Sequence, residues 1–597
     1  MRLVFQTPEL TDREAIVIPA SGRTRRLLQA ILMDEDGQEV ENIAIVYEMD
    51  KSIEGIWIDG DMLYLSDQVA QCTQFYVIAK VKLNQEICTT LKIEVIKDFT
   101  LQDALPSPLE KEGWELVYHE EFQDGQIDWR KWSPYYLRGW TEDRLAKADF
   151  YFEDGKFIIT SKPDREPWCV QDGEHRVSSI QSFERTHLHR FGTVTGSREI
   201  PDFRGFATKY GYFEVRMRLP DTKDGSHFAW WMIGVQDDQH ITAEVEGSEQ
   251  YAFGVFTNQT AEFDIVEQTL DAYTESKDYE PNIWRPVIHP NGSTDLNYLW
   301  VEPTPIINSP SHEFHVYGFE WNEKGTKFYL DGKLVQETDR TPNYRMMTLF
   351  SLYLGAKDGS CGMGRDRGIY PKEALIDYFR VYKKKEEAKP ISLVINDYQG
   401  PSYLQIPNEK VKRYRMTAYA MDQWDKPIEA DILWYLGTDV QGMRVLSRKE
   451  EEAQGVTIHR KTGEVIVEAH AKENQDIFLV AYCEENVKEV KHLKLSKKDP
   501  YGETLRFEIS EDTITKGSER ILHATVYDQY GKRYPGQIRY TIMCDIVGSE
   551  SCRIEGVQLR DTNRLVVDKD VPSNTYLFIE AQEEKQQLRA CLVLRVI

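Results

Sequence analysis

The stretch "AEFDIVEQTL" (residues 261–270) places three carboxylates inside a segment that otherwise has the pattern of a buried strand. Side chains alternate between the two faces of a strand, so Glu262 and Asp264 share one face while the apolar residues between and after them pack on the other. Position 266 should continue the acidic face, but Val266 is apolar and Glu267 follows it. One extra residue, a β-bulge, would return Glu267 to the acidic face, and bulges are frequent beside active sites.

Two glutamates on one face suit a specific chemistry. The Cα atoms of Glu262 and Glu267 should lie about 13 Å apart at about 3.3 Å per residue, and side chains leaning together across a concave sheet close that gap to about 5–5.5 Å. This is the carboxyl separation of a retaining glycosidase, in which one ionised carboxylate attacks and one protonated carboxyl donates. Crowding three acids raises the pKa of at least one, and Asp264 can set which neighbour holds the proton. A solvated acidic face is the alternative on spacing alone, because 99 of the 597 residues are acidic.

The hexapeptide "EFDIVE" (262–267) matches in full the bulged signature E-[IF]-D-[IV]-[VM]-E of glycoside hydrolase family 16, which it therefore resembles. The resemblance implies that Glu262 is the nucleophile, Asp264 its assistant and Glu267 the acid/base, in a concanavalin-like β-jelly-roll. Five further segments resemble this family in the same order: "YHEEFQDGQIDWRKW" (118–132), "YGYFEVRMRLP" (210–220), "GSHFAWWMIG" (225–234), "FHVYGFEWNEKGTKFYLDGKLV" (314–335) and "ALIDYFRVYK" (374–383).

Departures from the family pattern concern the substrate rather than the acids. Phe228 stands where Pro is usual, and residues 235–260 form an insertion that we expect to rim the cleft as a loop or hairpin. The bulged signature resembles the β-1,3-glucanase and agarase-like branches more than the xyloglucan transglycosylases, whose strand lacks the extra residue.

Five side chains are predicted to bind substrate. By resemblance, Trp231 lies on the concave sheet, where its flat apolar face can stack on a sugar ring. Trp230, Trp140 and Trp284 are further candidate platforms, for which core packing is the alternative. His289 follows the catalytic strand where the family often has a cleft histidine, and a loop histidine satisfied by its neighbours is the alternative.

The family resemblance also implies a possible structural calcium site, held by Glu121, the Gly155 carbonyl and Asp377. Hard oxygen ligands suit Ca²⁺, but salt bridges explain the two acids equally well. No cofactor is expected for the chemistry itself.

The rest of the chain contains an internal repeat of short apolar strands joined by Asp-centred turns. Short strands at this spacing predict β-sandwiches of about 100 residues, and they resemble bacterial immunoglobulin-like modules. We expect three such modules, at 1–100, 390–497 and 503–597, around a family 16 block at 111–385. The repeated copies are 31–49, 418–436 and 524–542.

The composition of the chain narrows the classes of partner that the protein is expected to bind. The net charge of −26 disfavours nucleic acid and anionic membrane surfaces, both of which reward basic patches. The eight cysteines include no CxxC pair, so a zinc or redox motif is not expected. No apolar run is long enough to span a membrane and no signal peptide is visible, so the chain as written is expected to be cytoplasmic; a secreted or cell-surface protein whose signal is absent from this chain is the alternative.

These observations predict an all-β protein in which a jelly-roll is flanked by three Ig-like sandwiches. The expected function is that of a retaining endo-glycoside hydrolase whose partner is a β-linked polysaccharide, foremost a β-1,3- or mixed-linked glucan. A β-galactan hydrolase of the agarase or endo-galactosidase type is one alternative. A glycan-binding or adhesion protein without turnover is the other.

Overall fold

In a computed structural model of the chain, the regular secondary structure of the described residues is almost entirely β-strand. The structure describes residues 1–5, 16–19, 25–40, 42–66, 68–70, 73–96, 103–170, 172–185, 188, 198, 200–220, 226–235, 262–268, 287–288, 313–339, 341–355, 366, 368–439, 442–483, 487–509, 511–546 and 550–597.

The N-terminal strands form a sandwich around their own apolar core. Alternate residues of the strand at Gln74–Val81 are buried, and Phe75, Val77 and Ala79 enter that core. The strands are β1 Arg2–Phe5, β2 Ile16–Pro19, β3 Arg25–Leu27, β4 Ala30–Met33, β5 Ile45–Met49, β6 Ile56–Asp59, β7 Met62–Leu65, β8 Gln74–Val81 and β9 Asn84–Ile96. In the four-stranded sheet, of order β2-β9-β8-β5, the first strand lies parallel to β9.

The described residues in the middle of the chain form the next fourteen strands. They are β10 Trp114–Glu120, β11 Asp149–Glu153, β12 Lys156–Ser161, β13 Arg176–Gln181, β14 Gly211–Arg218, β15 Ser226–Gly234, β16 Glu262–Gln268, β17 Val287–Ile288, β18 His315–Asn322, β19 Gly325–Leu330, β20 Lys333–Thr338, β21 Met346–Leu354, β22 Ile369–Tyr370 and β23 Lys372–Lys384. A 3-10 turn at Arg138–Trp140 and helix α1, Asp143–Ala146, precede β11.

Two antiparallel sheets of this middle region pack face to face. One has the order β11-β12-β23-β14-β18-β19-β20, with β10 also paired to β23, and the other has the order β13-β21-β15-β16-β17. Aromatic side chains from both sheets meet between them, with Trp230 and Phe350 on one side and Phe319 and Phe379 on the other. This arrangement confirms the predicted all-β sandwich. Strand β22 belongs to neither sheet and pairs instead with β3 of the N-terminal sandwich.

The remaining strands repeat the N-terminal topology twice. The first set is β24 Ser392–Ile395, β25 Tyr403–Gln405, β26 Val411–Arg415, β27 Ala418–Met421, β28 Pro427–Ile428, β29 Leu433–Gly437, β30 Val456–Ile458, β31 Glu464–Glu468, β32 Asp476–Cys483 and β33 Val487–Ser496, with helix α2, Arg448–Gln454. The second set is β34 Gly502–Phe507, β35 Thr513–Ile514, β36 Ser518–Ile521, β37 Ala524–Asp528, β38 Arg533–Tyr534, β39 Ile538–Met543, β40 Val557–Arg560, β41 Arg564–Val567, β42 Tyr576–Glu583 and β43 Arg589–Val596.

The sheets β25-β33-β32-β29 and β35-β43-β42-β39 each pair their first strand in parallel with the last strand of the set, as β2 pairs with β9. The internal repeat seen in the sequence is therefore a repeat of topology. The immunoglobulin-like assignment and the module boundaries stay predictions. Within the described ranges, no helix has the length and apolar character needed to cross a membrane.

Candidate active site

Strand β16 carries the β-bulge that the sequence predicts. Its register against β15 pairs Glu267 with Ala229 and Val266 with Trp230, and then skips one residue so that Asp264 pairs with Trp231. The skipped residue and Val266 are both buried in the core between the two sheets. Because directly opposed residues of an antiparallel pair share a face, the bulge returns Glu267 to the side of Asp264.

All three acids therefore lie on one face of the five-stranded sheet, called the carboxylate face below. Glu262 is 7% exposed and Asp264 is 5% exposed, whereas the side chain of Glu267 is 31% exposed. The β15 residues opposite them, Ala229, Trp231 and Ile233, belong to a second apolar cluster on this same face. One acid is thus more accessible than the two beside it.

Burial and charge act together on Glu262. Loss of water around its carboxyl group, and then the negative charge of Asp264, raise the pKa of Glu262 well above its ordinary value. A hydrogen bond between the two carboxyl groups and the nearby Glu267 act in the same direction. Burial first, and crowding by the other acids after it, thus raise the pKa of Glu262.

His227 is a further polar residue beside the acids, and it was not among the predicted site residues. Its Nε2 lies 3.5 Å from Oε1 of Glu267, and its ring centroid lies 5.4 Å from that of Tyr353. Burial lowers the pKa of His227 to about 4, so the ring is neutral near pH 7. Alternation back from Trp231 through Ala229 places position 227 on the carboxylate face, and this signal was present in the sequence.

Two tyrosines approach the acids from other elements. The hydroxyl of Tyr353 donates to that of Tyr136 at 3.3 Å, and the Tyr136 ring centroid lies 6.4 Å from that of Trp231. Burial first, and the negative charge of Glu262 among other causes, raise the pKa of both tyrosines. Tyr353 could have been found by alternation along β21. No such pattern marks Tyr136, which precedes the 3-10 turn.

The structure separates the two adjacent tryptophans of β15. Trp231 lies on the carboxylate face, 3% exposed, with its indole N–H donating to Oγ of Ser351 at 2.9 Å. Trp230 is 0% exposed between the sheets, donates to Oγ1 of Thr348 at 3.1 Å and stacks near Phe350. The prediction that Trp230 contacts substrate is therefore wrong, because neighbouring strand residues point to opposite faces.

Of the other three predicted substrate contacts, Trp140 is the one that lies within the described residues. Trp140 is buried in the apolar cluster that includes Trp231, and its indole N–H donates to the carbonyl of Leu188 at 3.4 Å. Trp284 and His289 lie outside the described residues, as does nearly all of the insertion predicted at 235–260.

The residues proposed for calcium do not fit that ion. The Glu121 carboxylate accepts two hydrogen bonds from Arg380, at 2.7 and 2.8 Å. Asp377 accepts one from Arg216 at 2.7 Å, and the Gly155 carbonyl accepts a side-chain amide hydrogen bond at 3.4 Å. In the part of the chain that the structure describes, no group of three or more His, Cys, Asp or Glu side chains is arranged to hold a metal. The salt-bridge alternative accounts for both acids.

Part of the chain is similar to known proteins. Residues 201–366 match the family model described as "Glycosyl hydrolases family 16". Glucan endo-1,3-beta-glucosidase A1 of Niallia circulans is 24% identical over 306 residues, which are 46% of this chain and 38% of that protein. Kappa-carrageenase of Pseudoalteromonas carrageenovora is 28% identical over 262 residues, which are 41% of this chain and 57% of that protein. The chain thus spans less than two thirds of either relative.

A solved structure, the GlcNAcα1-4Gal releasing endo-β-galactosidase from Clostridium perfringens, aligns with a TM-score of 0.40 at 23% identity. The alignment covers 78% of this chain and 100% of that chain.

Proposed function

We propose that this protein is a retaining endo-glycosidase that hydrolyses a β-linked polysaccharide, because residues 201–366 match the model of family 16 glycosyl hydrolases. The observation that carries this proposal is the bulge in β16, which gathers Glu262, Asp264 and Glu267 on one face. A strand without the bulge would turn Glu267 into the core.

In the proposed reaction, Glu262 attacks the anomeric carbon and forms a covalent glycosyl–enzyme, while Glu267 protonates the departing glycosidic oxygen. Glu267 then takes a proton from water, which attacks the anomeric carbon and releases Glu262. The hydrogen bond from Glu262 to Asp264 gives the proton on Glu262 a place to go when the nucleophile ionises. Glu267 is the more exposed of the two glutamates, which suits a group that must meet a leaving sugar and then water.

For the substrate, we propose a β-1,3- or mixed-linked glucan, a choice that the similarity to the glucan endo-1,3-beta-glucosidase supports. A β-galactan is the second candidate, supported by the higher identity to kappa-carrageenase. The apolar rings near the acids, Trp231 and Tyr136, are each 3% exposed and do not favour one kind of sugar over the other.

The test is release of reducing ends from laminarin, barley β-glucan, agarose and kappa-carrageenan. We expect the wild type to act on one of them, with Glu262→Gln and Glu267→Gln lowering the rate at least a thousandfold. Glu337→Gln, which changes an exposed glutamate of β20, is the matched control and should keep wild-type activity. NMR of the first product should show the β-anomer before mutarotation.

Two outcomes would overturn the proposal. A wild type that binds a polysaccharide without releasing reducing ends would be a glycan-binding protein. Activity that survives both glutamine substitutions would place the chemistry elsewhere.

A further inference from the structure

Two consecutive tyrosines face opposite ways between the carboxylate face and the C-terminal module (residues 503–597). The buried Tyr135 donates its hydroxyl to Oδ2 of Asp545, in that module, at 2.9 Å. Tyr136 turns to the other side, where its ring centroid lies 4.6 Å from that of Trp168 and 6.4 Å from that of Trp231. One peptide unit therefore joins a contact with the module to a contact beside the acids.

The module holds this part of the chain at several further points. Lys147 forms an ion pair with the same Asp545 at 2.9 Å, and Arg130 pairs with Asp512 at 3.2 Å. The hydroxyl of Tyr576 donates to Asp128 at 3.2 Å. An apolar cluster closes the contact, made of Tyr135, Ala146 and Phe203 with Ile546 and Val593.

The segment that the module contacts includes a residue with an unfavourable backbone conformation. Leu137 has a φ of 38° and lies in the left-handed region, which is unfavourable for a residue with a Cβ. Such a conformation persists only where the surroundings determine it. The Leu137 backbone N–H donates to the side chain of Gln181 at 3.1 Å, and the next residue, Arg138, forms a buried ion pair with Glu184 at 2.8 Å.

The same segment furnishes part of the carboxylate face. Tyr136, Leu137 and Trp140 all belong to the apolar cluster that contains Trp231. Tyr136 is also near enough to Glu262 for the negative charge of that group to raise the pKa of the tyrosine. A shift of the segment would therefore move aromatic surface next to the proposed nucleophile.

We propose that the C-terminal module is a positioning element of the active site, and that the hydrogen bond from Tyr135 to Asp545 holds Tyr136 and Trp140 where a sugar ring is bound. The inference rests on the proposed function, since it assigns the module to the same site. Asp545 acts through Tyr135 and is a positioning residue, not a catalytic one.

The experiment uses the full chain with Tyr135→Phe, Asp545→Asn and the double variant, assayed on the polysaccharide that the wild type cleaves. We expect KM to rise about three- to tenfold in each single variant with kcat within twofold, because substrate contacts move while the acids stay. The double variant should lose no more than Asp545→Asn alone, because that change already removes the bond to Tyr135 together with the ion pair to Lys147. Glu519→Gln, which breaks an exposed ion pair with Arg564 in the same module, is the matched control and should keep the wild-type KM.

Near-UV circular dichroism of the full chain, to which the cluster of Tyr136, Trp168 and Trp231 contributes, provides a readout that needs no activity. Asp545→Asn should change this signal and Glu519→Gln should not. If the signal changes in this way but no polysaccharide is cleaved by the wild type, the proposed function is rejected and the positioning role of Asp545 is not. The positioning role is overturned if Asp545→Asn matches the control in both KM and dichroism. It is also overturned if the variants lose only affinity for insoluble polysaccharide and keep the wild-type KM on soluble chains, which would make the module a separate glycan-binding unit.

Discussion

The carboxyl group of Glu262 hydrogen-bonds that of Asp264, two residues further along strand β16. Both groups are buried on one face of the sheet, and Glu267 approaches the same face after the bulge. In a low-dielectric setting, the negative charge of a neighbouring carboxylate opposes the ionisation of Glu262, and this adds to the effect of burial on its raised pKa. The raised pKa of Glu262 sets the pH above which the proposed nucleophile becomes available.

We expect Asp264→Asn to move the acidic limb of the kcat/KM profile to lower pH. Removing the negative charge of Asp264 relieves one cause of the raised pKa of Glu262, so Glu262 ionises at lower pH. The turnover number should fall about a hundredfold, because the amide cannot accept the proton that Glu262 gives up. Initial rates measured between about pH 4 and about pH 8 give both the position of the acidic limb and the turnover number. An acidic limb that stays in place would separate Asp264 from the ionisation of Glu262.

His227 should make the folded protein less stable in mild acid. Its pKa is about 4 in the folded chain, lowered chiefly by burial and also by His175, with Asp264 acting in the opposite direction. Below about pH 6.5 the unfolded chain binds a proton that the folded chain refuses, so the free energy of unfolding falls as the pH drops toward 4.

The variant His227→Gln lacks this titrating group, so its free energy of unfolding should fall less than that of the wild type over the same pH range. The difference between the two falls should reach up to about 3 kcal/mol. Urea unfolding followed by tryptophan fluorescence at several pH values compares the two proteins. Parallel curves for wild type and variant would show that His227 takes up its proton without cost in the folded state.

The adjacent tryptophans of β15 offer a matched pair of substitutions. Trp230→Phe should lower the free energy of unfolding by about 1–3 kcal/mol, because it removes buried volume and leaves the Thr348 hydroxyl without its donor. Its KM should stay at the wild-type value. Trp231→Phe should raise KM about fivefold, equivalent to about 1 kcal/mol of lost sugar contact. Equal KM values for the two variants would argue against substrate contact at Trp231.

Calcium removal should leave thermal stability unchanged. Glu121 and Asp377 are neutralised by Arg380 and Arg216, so neither acid needs a cation. We expect the same melting temperature in excess EDTA and in excess CaCl₂, whereas Arg380→Met should lower it by leaving Glu121 unpaired. A melting temperature that rises with added calcium and falls with EDTA would restore the calcium prediction.

Much of the acidic strand followed from simple alternation. The extra residue before Glu267 could be counted in the sequence, and the register of β15 and β16 confirms it. Alternation also separates Trp230 from Trp231 once one of them is placed with the acids. His227 lies two further steps along the same alternation and could have been named by that argument.

Other features depend on contacts that local sequence does not encode. Tyr136 reaches the carboxylate face from a segment without strand periodicity, and its neighbour Tyr135 bonds to a residue 410 positions away. The arginines that engage Glu121 and Asp377 are likewise far along the chain, at separations of 259 and 161 residues. Ligands and salt bridges use the same acids, so only the three-dimensional neighbours distinguish them.

Strand β22 has a consequence for how this protein is made. Tyr370 and Ile369 complete the sheet of β3, β7 and β6 from a point some 340 residues downstream of their partners Arg25 and Arg26. During translation, before β22 has been synthesised, the outer side of β3 has no β22 to pair with. The same is true of any recombinant fragment that ends near residue 100. An unpaired edge invites other chains to add strands to it, so such a fragment should self-associate at concentrations where the full-length protein stays dispersed.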